Sequence, residues 1–116
     1  MKKFNVGDIV FVSNYMYKSG ENGQNHSFVL IDDGQAVDIN YFGFLLSSNM
    51  NKATYPYNET LRKDNTNNLL KDSIVKCDDL IEIQENEIKF KIGEVTQADL
   101  DKFVNTFGNY VDTLNV

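Results

Sequence analysis

Up to Gly93 the chain is a succession of short apolar runs, each closed within a few residues by Gly, Asn, Asp or Ser, and only after Thr96 does the apolar spacing lengthen to three and four. Runs that short cannot give a helix a buried face, but they match ordinary strands, so the chain is constrained to a small β structure that ends in one helix. Ile9-Val10-Phe11-Val12, bounded by Gly7-Asp8 and Ser13-Asn14, predicts the first strand. Residues 15–27 are rich in Gly and Asn, which supply turns rather than a ladder, and predict a loop. Phe28-Val29-Leu30-Ile31 predicts a second strand closed by a turn at Asp32-Asp33-Gly34. Residues 36–47 pass from partial alternation to an apolar run, which fits one or two strands with Gly43 as a bulge or bend.

Residues 48–68 follow neither the helical nor the strand period and contain the sole proline, Pro56. They predict a long loop, a candidate flap over a site. Ser73–Asp78 predicts a core strand, and Glu87–Ile92 alternates so that Ile88, Phe90 and Ile92 share one face. Thr96-Gln97-Ala98-Asp99 resembles a capping box with Asp at the third helical position, and Leu100, Phe103, Val104, Phe107, Val111 and Leu114 follow on one helical stripe. The sum is a mainly β (α+β) chain of five or six strands, pairing with their neighbours into a small antiparallel barrel with a C-terminal amphipathic helix. Residues 1–116 show no composition shift and predict a single domain.

A chain of 116 residues buries roughly two-thirds of its unfolded surface on folding, enough for a core without disulfides or a structural metal. Its one cysteine, Cys77, excludes a disulfide framework and a Cys-rich zinc site, and on a core strand it predicts a buried, inert thiol in a reducing compartment. The acidic pairs Asp32-Asp33 and Asp78-Asp79 lack calcium-loop spacing, and neither phosphate-loop nor dinucleotide fingerprints occur, so no metal or cofactor is expected. No secretory leader and no membrane span are expected either, which points to the cytoplasm. Seventeen acidic against eleven basic residues, a net charge of −6, exclude broad binding to duplex DNA but not a small local site.

Gly7-Asp8-Ile9-Val10-Phe11-Val12, then a Gly-rich loop, then Phe28-Val29-Leu30-Ile31, resembles the amino-terminal half of the MazF/PemK/Kid family of bacterial toxins. The segment from Asp72 to Ile83 resembles a later strand of that family, including its basic-Cys-Asp triplet at Lys76-Cys77-Asp78. Lys91-Ile92-Gly93-Glu94-Val95 and the helix after it are similar to the family's ending. The resemblance implies an SH3-like barrel, a homodimer, and a metal-independent endoribonuclease that cleaves single-stranded RNA through the neighbouring 2′-hydroxyl and is restrained by a cognate antitoxin protein.

That chemistry needs a base for the hydroxyl, an acid for the leaving oxygen and groups that hold the phosphate. Where the family carries Arg-Pro before its second strand, this chain has His26-Ser27. Imidazole can move a proton near neutral pH but cannot clamp a phosphate as a guanidinium does. Lys76 and Asp78, two apart on a strand, share a face, Lys76 to stabilise phosphate charge and Asp78 to accept a proton or orient His26. Ser47, with Ser48 as its neighbouring alternative, ends the third strand near where the family often carries a Thr or Ser, and the resemblance implies that its hydroxyl bonds the phosphate. Lys18, Asn22, Gln24 and Asn25 lie in the loop that the resemblance implies borders the RNA, and Tyr15, Tyr17, Tyr55 and Tyr57 could stack on bases. The bland readings stand beside these: a solvated or capping histidine, an exposed ion pair, a strand-end hydroxyl and tyrosines packed over the core. A second function fits the same residues, namely a catalytically degenerate barrel that binds RNA or a protein.

Overall fold

The computed structural model describes residues 3–13, 25–34 and 40–114. They form β1 (Asp8–Val12), β2 (His26–Asp32), β3 (Asn40–Ser47), β4 (Asn58–Leu61), β5 (Ser73–Gln84), β6 (Ile88–Glu94) and a terminal helix α1 (Gln97–Thr113). All pairings are antiparallel, in the order β4-β5-β3-β2-β1-β6. One 3₁₀ turn, Glu85–Glu87, joins β5 to β6, so the run from β5 through β3, β2 and β1 to β6 must curl until its two ends meet. The buried side chains show the closure: Ile81 and Ile83 of β5 and Ile88 of β6 share one cluster with Val10, Val12, Phe28, Leu30 and Tyr41. That cluster fills the barrel.

Alternation along each strand sends the other residues outward, where Ile9, Val29, Phe44, Leu46, Val75 and Cys77 pack beneath Phe103 of α1. The helix begins as the capping signal predicts, with Thr96 Oγ1 accepting the Asp99 N–H at 3.1 Å. Its stripe is only partly covered. Leu100 and Phe103 are buried, whereas Val104 and Leu114 are exposed.

Several expected elements differ in place or kind. His26 and Ser27 belong to β2 rather than to the preceding loop, since β1 is long enough to pair Val12 with His26 and Phe11 with Ser27. Gly43 is neither bulge nor bend: it lies mid-strand, paired with Leu30 and Ile81, and is needed because a Cβ there would come within 2.7 Å of the Val29 carbonyl oxygen. In the pairings of β3 the irregularities fall on its partners, on β2 between Leu30 and Asp32 and on β5 between Val75 and Leu80.

Residues 48–68 are not a structureless flap. They contain a 3₁₀ turn, Met50–Lys52, and β4, which pairs with the first half of β5. The rest is fixed by Asn67, whose side chain is buried with every polar atom used. Its Oδ1 accepts from the Asp64 and Leu69 amides and its Nδ2 donates to the Arg62 carbonyl, all at 2.8–3.0 Å. Side-chain bonds of this kind supply the turn geometry that no apolar period could reveal.

Candidate active site

A cavity of about 700 Å³ opens where the first residues of β2, the end of β3 and the middle of β6 face residues 68–71. Asn25, His26, Ser47 and Ser48 line it, so four of the residues singled out in the sequence meet there. Lys71 adds a positive charge, and among the described residues no Asp or Glu lines the cavity. A wall whose described residues carry no carboxylate is a place where a polyanion meets little repulsion.

His26 opens β2 opposite Val12, with its ring edge-on to Phe28 at 6.4 Å. Partial burial lowers its pKa from the ordinary 6.5, so the imidazole is neutral at pH 7 and able to accept a proton. The last residue of β3, Ser47, has its Oγ accepting the Asn49 N–H at 3.2 Å, which orients the hydroxyl oxygen at the strand end.

Lys76 and Asp78 are not in the cavity's lining, which on β5 stops at Ser73. The register nevertheless puts Lys76 on the same face as His26: Ser27 pairs with Leu46, Ser47 with Ile74, and Ile74 is two residues from Lys76. From strand spacing and rise, the His26 and Lys76 backbones are roughly 12 Å apart, less where the sheet curls. Both Lys76 and Asp78 are half-buried. Asp78 sits in the irregular stretch of β5, where alternation no longer fixes its direction. Lys18, Asn22, Gln24, Tyr15 and Tyr17 lie outside the described residues.

Cys77 is buried, its thiol pushed up to about 12 by burial and by the charges of Glu59 and Asp78. It is a packing residue. Tyr57 also packs, edge-on to Tyr110 of α1 at 5.2 Å, while Tyr55 is exposed. Sequence reasoning missed Phe11, Phe90, Asn68, Leu69, Leu70 and Lys71 in the cavity wall. The alternation of β6 assigns Phe90 to the core with Ile88 and Ile92, and nothing in the sequence marks the bulges that turn it outward.

Residues 5–110 match the family model described as "PemK-like, MazF-like toxin of type II toxin-antitoxin system". The chain belongs to this family. Toxins of the MazF type are endoribonucleases. Comparison with curated proteins finds no match. Solved structures of the same fold include an endoribonuclease from a mycobacterial species, with 13% identity, a TM-score of 0.70, and 97% of this chain and 94% of that one covered. The Mycobacterium tuberculosis toxin MazF-mt6 is 15% identical at a TM-score of 0.67, covering 90% of this chain and 96% of its own. A mycobacterial endoribonuclease in complex with its cognate antitoxin is 13% identical at a TM-score of 0.69, covering 91% and 92%. Against this fold, the mainly β barrel with its C-terminal helix is as the sequence predicts.

Proposed function

We propose that this protein is an endoribonuclease toxin whose residues 1–116 act as one PemK/MazF-like unit, cutting single-stranded RNA in the cytoplasm without a metal ion. The observation that carries this reading is the coincidence of a family match over residues 5–110 with a cavity that gathers His26, Ser47 and Ser48 and has no carboxylate among its described lining residues. Neutral imidazole at His26 takes the proton of the 2′-hydroxyl, whose oxygen then attacks the adjacent phosphorus. Lys76 offsets the charge that develops on the phosphoryl oxygens, and Asp78 orients the imidazole. Ser47 donates its hydroxyl proton to a phosphate oxygen. The 5′ oxygen leaves with a proton from solvent, giving a 2′,3′-cyclic phosphate and a 5′-hydroxyl. Asn25, Lys18 and Gln24 border the bound strand.

The partners follow from the same reading. A cognate antitoxin would cover the cavity, since the related complex pairs an endoribonuclease with its antitoxin, and a homodimer is the expected assembly. The test is cleavage of an unstructured RNA in the presence of a chelator, with end-group analysis of the products. The expected result is cyclic phosphate ends, and His26→Ala should slow cleavage by about 100-fold or more. Wild-type protein inert on a panel of such RNAs would overturn the assignment.

One observation favours the binding-module reading. Arg62, the sole arginine, is on the exposed side of the 62–72 segment with its guanidinium 3.8 Å from the Asp72 carboxylate, so no guanidinium lines the cavity. Tight RNA binding without cleavage would select that reading.

A further inference from the structure

The pairing of β1 with β6 breaks register twice, between Ile9 and Val10 and between Phe11 and Val12. The two breaks bracket two pairs, Val10 opposite Lys91 and Phe11 opposite Phe90. Without them Phe90 would point with Ile88 into the barrel. The bulge at Lys89 reverses it onto the outer face, beside Phe11, and leaves it 52% exposed. The two rings are stacked, 12° from parallel with centroids 5.0 Å apart, and both line the cavity that contains His26. Across that cavity Leu70 is 91% exposed. Exposing this much aromatic and aliphatic surface costs stability and gains no packing, so its use is to be sought in a ligand.

We propose that Phe11 and Phe90 form a stacking platform for an unpaired nucleobase of the substrate RNA, one or two nucleotides from the phosphate at His26. The inference rests on the nuclease reading and adds a positioning surface to it. Three observations choose a base as the occupant. The platform is continuous with the candidate active site, since Phe11 pairs with Ser27 and the Phe90 backbone is then roughly 10 Å from that of Ser27. Among the described residues that line the cavity there is no carboxylate, and Lys71 stands on its wall, as suits the phosphates on either side of a stacked base. Parallel, half-exposed aromatic rings present a flat π-face that any base can cover, which is how single strands are held without sequence readout.

The test is binding of fluorescent 2′-O-methyl dodecamers, which lack the attacking hydroxyl and so stay intact, to wild-type protein, Phe90→Ala and Phe90→Leu. Phe90 is half-exposed, so both variants should melt close to wild type, and melting curves verify this. Stacking predicts that Phe90→Ala weakens binding by about 5- to 150-fold, with Phe90→Leu nearly as weak because it keeps apolar area but no ring. On cleavable RNA the loss should fall on KM more than on kcat. An abasic site at one nucleotide should cost wild-type protein a similar factor, and combining it with Phe90→Ala should cost nothing more. Equal binding by all three proteins, or losses that multiply, would overturn the platform while leaving the nuclease reading intact. A Phe90→Ala protein that binds RNA normally but loses its antitoxin would assign the rings to the protein partner instead. Wild-type protein that binds no dodecamer and cleaves no RNA would overturn the nuclease reading and the platform together.

Discussion

Gly93 sits where β6 passes beneath residues 66–67, and a Cβ built there would lie 2.2 Å from the Asn67 carbonyl oxygen and 2.8 Å from that of Thr66. Both obstacles are backbone, so no side-chain rotation relieves them. For Gly93→Ala to reach ordinary contact the 64–69 segment must retreat by more than an ångström. The Glu94 N–H, which donates to the Thr66 carbonyl at 3.1 Å, would then be out of hydrogen-bond range, and the Asn68 Nδ2 bond to the Ile92 carbonyl, also 3.1 Å, would be strained with it. Overpacking of this kind costs about 1–3 kcal/mol and each lost bond about 1 kcal/mol, so the expected destabilisation is about 3–5 kcal/mol. That is a large part of the stability of a small domain. Gly108→Ala is the control, since nothing outside its own stretch of helix backbone lies within 4 Å of its Cβ position and its place inside α1 predicts a gain of roughly 0.5–1 kcal/mol. Urea unfolding of the three proteins, monitored by circular dichroism, gives the differences directly. Because residues 68–71 wall the cavity, Gly93→Ala should also weaken RNA binding at temperatures where it remains folded. A Gly93→Ala protein within 1 kcal/mol of wild type would refute the close approach of these two segments.

Asp8 is 2% exposed, accepts the Asn5 N–H at 2.9 Å and lies 3.2 Å from the Lys91 ammonium, so Asp8→Asn should destabilise by about 1–3 kcal/mol, less at high salt; equal urea midpoints would contradict it. The hydrogen bonds of Lys91 to Glu94 and Asp8 raise its pKa above the ordinary 10.5. Its contribution is therefore complete at neutral pH and lost as pH rises through the folded value, which thermal melts above pH 10 should register. Cys77, with its thiol near 12 and no exposed surface, should resist iodoacetamide at pH 8 until the chain unfolds; alkylation of folded protein at the rate of a free thiol would contradict this. The lowered pKa of His26 places the acidic limb of kcat/KM below pH 6.5, with activity falling as the ring becomes protonated; a limb above 6.5, or one that survives His26→Ala, would remove the imidazole from the base role.

The amino-acid sequence by itself determined the elements that rest on local chemistry. Dense β-branched runs bounded by turn residues located β1, the interior of β2 and the start of β5, and a threonine cap followed by a three-and-four stripe located α1. The resemblance of the Gly7-Asp8 and Lys76-Cys77-Asp78 segments brought in the family. What local chemistry could not carry was decided by contacts between distant segments. β4 is a strand because β5 offers it an edge, not because Asn-Glu-Thr-Leu favours one, and the 62–69 turn holds because Asn67 is buried against β6. The cavity is a tertiary product in the same sense: the β2–β3 register brings His26 to Ser47 and β6 adds Phe90 from across the chain, while Lys76 and Asp78 stand beyond its wall. Alternation sends Phe90 inward, and two bulges in a pairing with β1 turn it out, because register belongs to both strands and is written in neither alone.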